Sequence, residues 1–135
     1  MRKIFLLIGL LLAYGNGWAN SEEAKPDESA GPAIEYLEMK PKFTVNLAEP
    51  KRYLMVNVQL LVEGAANAEK IKKVMPMLKH EMIMALSGMH AADIQTMEQR
   101  EALRVKSTQL ISDLLGKAQI GDGFKEVFFS EFLVQ

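Results

Sequence analysis

The chain has 135 residues, with 16 basic and 17 acidic side chains and a formal net charge of −1. That length bounds it to one domain with appendages, and the near-neutral balance argues against a nucleic-acid partner, since phosphate binding needs a basic footprint. There is no cysteine, which excludes disulfides, thiol catalysis and cysteine-ligated zinc.

Residues 1–19 read as a targeting segment. Arg2 and Lys3 precede an apolar run from Ile4 to Tyr14, which Gly15, Asn16 and Gly17 interrupt, and Gly17, Trp18 and Ala19 suit cleavage after Ala19. A spanning helix needs about 20 apolar residues; this run is shorter, so a cleaved signal is favoured over a retained anchor. Either reading places the remainder outside the cytoplasm. Residues 20–33 form an acidic linker with Glu22, Glu23, Asp27 and Glu28 and no large apolar side chain to offset the entropy of ordering. The folded domain is expected over residues 34–135.

In that domain Phe43, Val45 and Leu47 alternate with Lys42, Thr44 and Asn46, giving a strand that Pro41 confines to a sheet edge. A short connection through Pro50 makes it a hairpin with a strand over 52–62. This is the most regular stretch of the chain: Leu54, Val56, Val58, Leu60 and Val62 fall on one face, Tyr53, Asn57 and Gln59 on the other. Asn67 reads as the N-cap of a helix reaching about residue 87, with Ile71, Val74, Met75, Leu78, Met82, Ala85, Leu86 and Met89 as its core stripe. Pro76 predicts a kink or break inside it, and Gly88 closes it.

Thr96 and Gln99 fit a capping box opening a second helix. Its buried stripe is Leu103, Leu110, Ile111 and Leu114; Arg100, Arg104, Lys106 and Asp113 form a solvated face, and Gly116 is the stop. After a turn at Gly121, Asp122 and Gly123, residues 127–135 make a final aromatic strand. Alternation does not rank Phe129 against Phe132, since both faces carry aromatics. The order β-β-α-α-β implies an α+β domain: a small antiparallel sheet with strand 52–62 in the middle, the last strand antiparallel to it and both helices on one face.

Chemical motifs are sparse. Ser87, His90 and Asp93 lie close in sequence, but no nucleophile elbow or oxyanion glycine pattern accompanies them, so they read as turn residues. No phosphate loop, dinucleotide fingerprint or zinc helix occurs. Met77, His80 and Met84 share the helix face opposite the core stripe. Thioether and imidazole groups together can bind Cu(I), yet exposed methionines also mark adaptable protein interfaces. Lys73, one turn away, disfavours a cation, so the interface reading ranks first.

Several stretches together resemble the flagellar basal body-associated FliL family from about Tyr36 to Gln135. Pro41, Phe43, Asn46 and Leu47 are similar to its opening strand and turn, and Tyr53 and Leu54 to its second strand. Pro76 in the first helix, and Thr96 opening the helix that carries Leu103, match as well. The ending, with Val127, Phe129, Glu131, Phe132 and Gln135, resembles the family's terminal pattern most specifically. The resemblance implies a periplasmic domain akin to the stomatin-type scaffold fold, without cofactor or catalysis. It also implies ring-like homo-oligomers at the inner-membrane basal body that contact MotB-like stator proteins and support rotation, swimming and swarming. The short N-terminal apolar run departs from the longer anchor of the family, which leaves open a secreted paralogue serving a partner outside the motor.

Overall fold

The computed structural model describes residues 33–135; the targeting segment and all but the last residue of the linker lie outside the described residues. The sheet is built on β3 (Tyr53–Glu63), whose alternation is realised in full: Leu54, Val56, Val58, Leu60 and Val62 are all completely buried. β4 (Phe124–Val134) runs antiparallel along one edge of β3, from Leu54 to Val62. The other edge is shared end to end by β1 (Ile34–Glu38), opposite Gln59 to Glu63, and β2 (Phe43–Asn46), opposite Tyr53 to Val56. A cis Lys40–Pro41 bond lies between these two short strands. β1 is an element that the sequence pattern did not resolve, because it contributes a single buried apolar side chain, Leu37.

Between the hairpin and β4 the chain forms α1 (Ala65–Lys73), α2 (Met75–Leu86), a 3₁₀ turn (Ala91–Ile94) and α3 (Met97–Lys117). The break expected in the helix over 67–87 is present and falls at Val74, and Pro76 occupies the first turn of α2, where its missing N–H costs nothing. Asn67 is not the N-cap. The helix starts earlier, behind Gly64, and the Asn67 amide donates back to the Glu63 carbonyl at 3.0 Å instead of accepting from the helix. Gly116 is not the stop either; α3 runs to Lys117, and Gln119 takes the left-handed conformation (φ 60°) while the Ile120 N–H returns to the Leu115 carbonyl. The capping box is present, with Gln99 N–H donating to Thr96 Oγ1 and Thr96 N–H to Gln99 Oε1.

All three helices cover the face of the sheet that carries the buried row of β3. Ala68 and Ile71 of α1, Leu78, Met82 and Leu86 of α2, and Leu103, Ile111 and Leu115 of α3 close the core. Within the expected stripes Ala85 is exposed, and Leu110 and Leu114 are only half-buried, since the deepest line of α3 runs through Leu103, Ser107, Ile111 and Leu115.

β4 departs from strict alternation. Its register against β3 skips at Ser130 and again at Lys125, and each extra residue shifts the phase of the strand. Phe124, Val127, Phe129, Phe132 and Val134 therefore all lie opposite the buried row of β3, and Phe129 and Phe132 share one face with ring centroids 5.5 Å apart. Val127 is the fully buried one. Gly123 starts this strand at φ 80°, and its carbonyl accepts from Glu63 N–H at 2.7 Å; a Cβ there would stand 2.2 Å from the Glu63 carbonyl oxygen. Leu60→Ala, at the centre of the core, is expected to lower unfolding free energy by about 2–5 kcal/mol in urea titrations, while Leu133→Ala on the uncovered sheet face should stay within about 0.5 kcal/mol.

Candidate partner interface

α2 is set off from α1 at its start and tied to the sheet at its end, which fixes what it shows to solvent. At its start the break at Val74 frees it from the axis of α1. At its end the Gly88 N–H donates to the Asn46 carbonyl at 2.8 Å and the Ala48 N–H to the Met89 carbonyl at 2.9 Å, tying the helix to the β2–β3 hairpin. Glu49 in that hairpin adds a clamp: its carboxylate accepts from Ala91 N–H at 3.0 Å and meets His90 Nδ1 at 3.2 Å. The Ala91 N–H foremost, with His90 adding to it, holds the Glu49 carboxyl below the usual carboxylate range.

With Leu78, Met82 and Leu86 turned to the core, Met77, His80 and Met84 fall together on the outer face of α2, Met84 at 62 % exposure. Ile83 is exposed beside them. The helix thus offers an apolar outer strip in addition to its buried one. Lys73 belongs to α1, across the break. Ser87, His90 and Asp93 are not assembled: Ser87 Oγ donates to the Ile83 carbonyl at 2.7 Å, His90 faces Glu49 and Asp93 lies in the 3₁₀ turn.

The remaining motif residues support the sheet. Phe43, Leu47, Leu54, Leu103 and Val127 are in the core. Pro41 is exposed between β1 and β2 and Pro76 in the first turn of α2, and Thr96 caps α3. Tyr53 and Gln135 exchange both backbone hydrogen bonds at 2.9 Å, and Arg52 Nε adds a third to the Gln135 carbonyl. Glu131 reaches across the open face to Lys42 Nζ at 2.8 Å.

Arg104 is not part of a solvated face. Its guanidinium binds Glu101 (2.6 and 2.9 Å), Glu126 (2.9 Å) and the Val127 carbonyl (3.2 Å), and lies 5.5 Å from the Phe128 ring centroid. It therefore clamps α3 onto the outer edge of β4, assisted by Thr108 Oγ1, which accepts from Val127 N–H. The one hint of this in the sequence is the spacing of Glu101 and Arg104 on a helix. Donating to the Glu101 and Glu126 carboxylates holds Arg104 further above its already high range, and accepting from Arg104 holds Glu101 below the usual carboxylate value. Arg100, one turn earlier, lies over the Phe132 ring at 4.7 Å.

These features define a class: an α+β domain that presents structured surface through side chains at helix faces and sheet edges. Residues 36–135 match the family described as "Flagellar basal body-associated protein FliL", and the chain belongs to that family. It is also similar to the "Flagellar protein FliL" of Aquifex aeolicus (strain VF5), at 29 % identity over 99 residues, which cover 72 % of this chain and 59 % of that relative. The chain thus spans less than two thirds of the length of the relative it matches.

Arg104→Ala leaves Glu126 and the Val127 carbonyl without their partner, and chemical denaturation should show a loss of about 1–3 kcal/mol. Because the Glu101 carboxyl is depressed in the folded state, its stabilising contribution is complete above the ordinary value of 4.5 and is lost as pH falls through the lowered one. The same variant should flatten that acid limb of the stability–pH curve. For the α2 face, titration with Cu(I) under reducing conditions should give no tight one-to-one complex; a tight complex abolished by Met77→Ala would reverse the ranking of metal site and interface.

Proposed function

We propose that this chain is a non-enzymatic periplasmic accessory of the flagellar motor. It binds stator proteins of the MotB type beside the inner membrane and supports their occupancy, as a ring of like copies, for rotation, swimming and swarming. The observation that carries this reading is the extent of the family match, which takes in every described helix and strand, with β1 from Tyr36 onward. The outer face of α2 supplies a physical means. Met77, Ile83 and Met84 are exposed apolar groups on a helix whose position is fixed by hydrogen bonds at its end, and such a face gains by being covered. A scaffold of this kind acts only through its differential affinity for the assembled state of its partner.

Deleting the gene should leave filaments assembled but lower swimming and swarming, most under high viscous load. Met84→Glu should reproduce part of the defect without unfolding the domain, since a charge buried in the contact without a partner is costly. Wild-type motility and stator number after deletion, in a strain with no second family member, would instead leave a binding module acting outside the motor.

A further inference from the structure

The two halves of the β4 outer edge are finished differently. In the first half the outward N–H and C=O of Val127 are taken by Thr108 and Arg104 of α3. In the second half the Tyr53–Gln135 pair fixes the phase of the ladder. Leu133 and Glu131, two and four residues back, direct their backbone groups to β3, and Phe132 and Val134 direct theirs outward. Among the described residues nothing hydrogen-bonds to those outward groups. Here α3 stands off from the strand and leaves a groove of about 350 Å³ lined by Met97, Arg100, Glu101, Arg104, Phe129 and Phe132, with Phe128 at its end.

Met97 on the helix wall is 86 % exposed. The Arg100 guanidinium is fixed by its Nε donating to the Ile94 carbonyl at 3.2 Å and by the Phe132 ring beneath it. No carboxylate among the described residues pairs with it, whereas Arg104 alongside is doubly paired.

We propose that the groove between the N-terminal half of α3 and residues 130–134 of β4 binds an extended segment of another protein that carries an acidic residue between apolar ones. The segment adds a strand to the β4 edge, sets alternate side chains on Phe129, Phe132 and Met97, and places its carboxylate on Arg100. An unpaired strand edge beside a helix recognises extended backbone, an aromatic floor recognises apolar side chains, and a fixed unpaired guanidinium recognises an anion. Two copies joined edge to edge about a twofold axis would bring Arg100 towards its own counterpart, so a twofold pair of copies is the poorer occupant. Residues 20–33 have the carboxylates but no large apolar side chain. This surface is separate from the outer face of α2, so the site can fail while the motor role stands, and the reverse.

The test uses the full chain in mild detergent and a soluble acetylated octapeptide with apolar residues at alternate positions and one central aspartate. The expected result is saturable binding, with amide shifts and slowed hydrogen exchange concentrated at residues 130–134. Arg100→Gln should weaken it about tenfold, as should exchanging the aspartate for lysine, and N-methylation along the pairing edge of the peptide should abolish it. Met97→Glu, at a position too exposed to affect folding, should weaken it as well. The proposal is overturned by any of four outcomes: no saturable shift; shifts centred on α2; equal binding of a peptide with the sequence of residues 20–33; or concentration-dependent protection of the same amides without peptide, meaning that copies pair there.

Discussion

The rest of the domain depends on the one-sided burial of β3. Five apolar side chains at strict alternation put every solvent-excluded group of the strand on one side, and full burial of each contributes about 1.5–3 kcal/mol relative to exposure. Helices on the opposite face could not cover them, so α1, α2 and α3 are obliged to share a face. The short strands β1 and β2 are obliged to follow one another along the edge that β4 leaves. The same constraint sets the limits of the helices: only one stripe of each is required by the core, and the rest is available for other uses.

Much of this was legible in the sequence because the signals are local and periodic. The alternation of 54–62, the capping box at Thr96 and Gln99 and the interruption at Pro76 each concern residues within a turn or two of one another, and each appears where expected. Features set by contacts across the chain were not legible. The skips at Ser130 and Lys125 rephase β4, so that Phe129 and Phe132, three positions apart, share one face. The α1 start escaped because its N-terminus is made by a positive-φ Gly64 without side-chain capping, and Asn67 serves as a donor to the preceding strand.

Candidate surface was partly visible in the same way. Helical phase alone places Met77, His80 and Met84 together and away from the core, and they are found there. Arg100 and Arg104 were misplaced, because their role depends on β4, more than twenty residues further on. Arg104 replaces hydration with three acceptors and an aromatic ring, and Arg100 lies on Phe132. An arginine at a helix surface is indistinguishable in sequence from one that closes a strand edge, since both leave the apolar periodicity unchanged. The motif residues divide accordingly: the recurrent apolar positions mark the core, and the surfaces are made by residues that the pattern leaves free.

The break at Val74 has a consequence for how such a domain can diversify. Because α2 is a separate segment, positioned by backbone hydrogen bonds from Gly88 and Ala48, by the Glu49 carboxylate and by Lys79 Nζ on the Lys40 carbonyl, its outward apolar side chains and His80 make none of the hydrogen bonds that hold it. Met77, His80, Ile83 and Met84 can be exchanged for other side chains of good helix propensity with little penalty to folding. The helix is then a replaceable label on a constant frame, and a change of binding partner is open to single substitutions that the sheet does not feel.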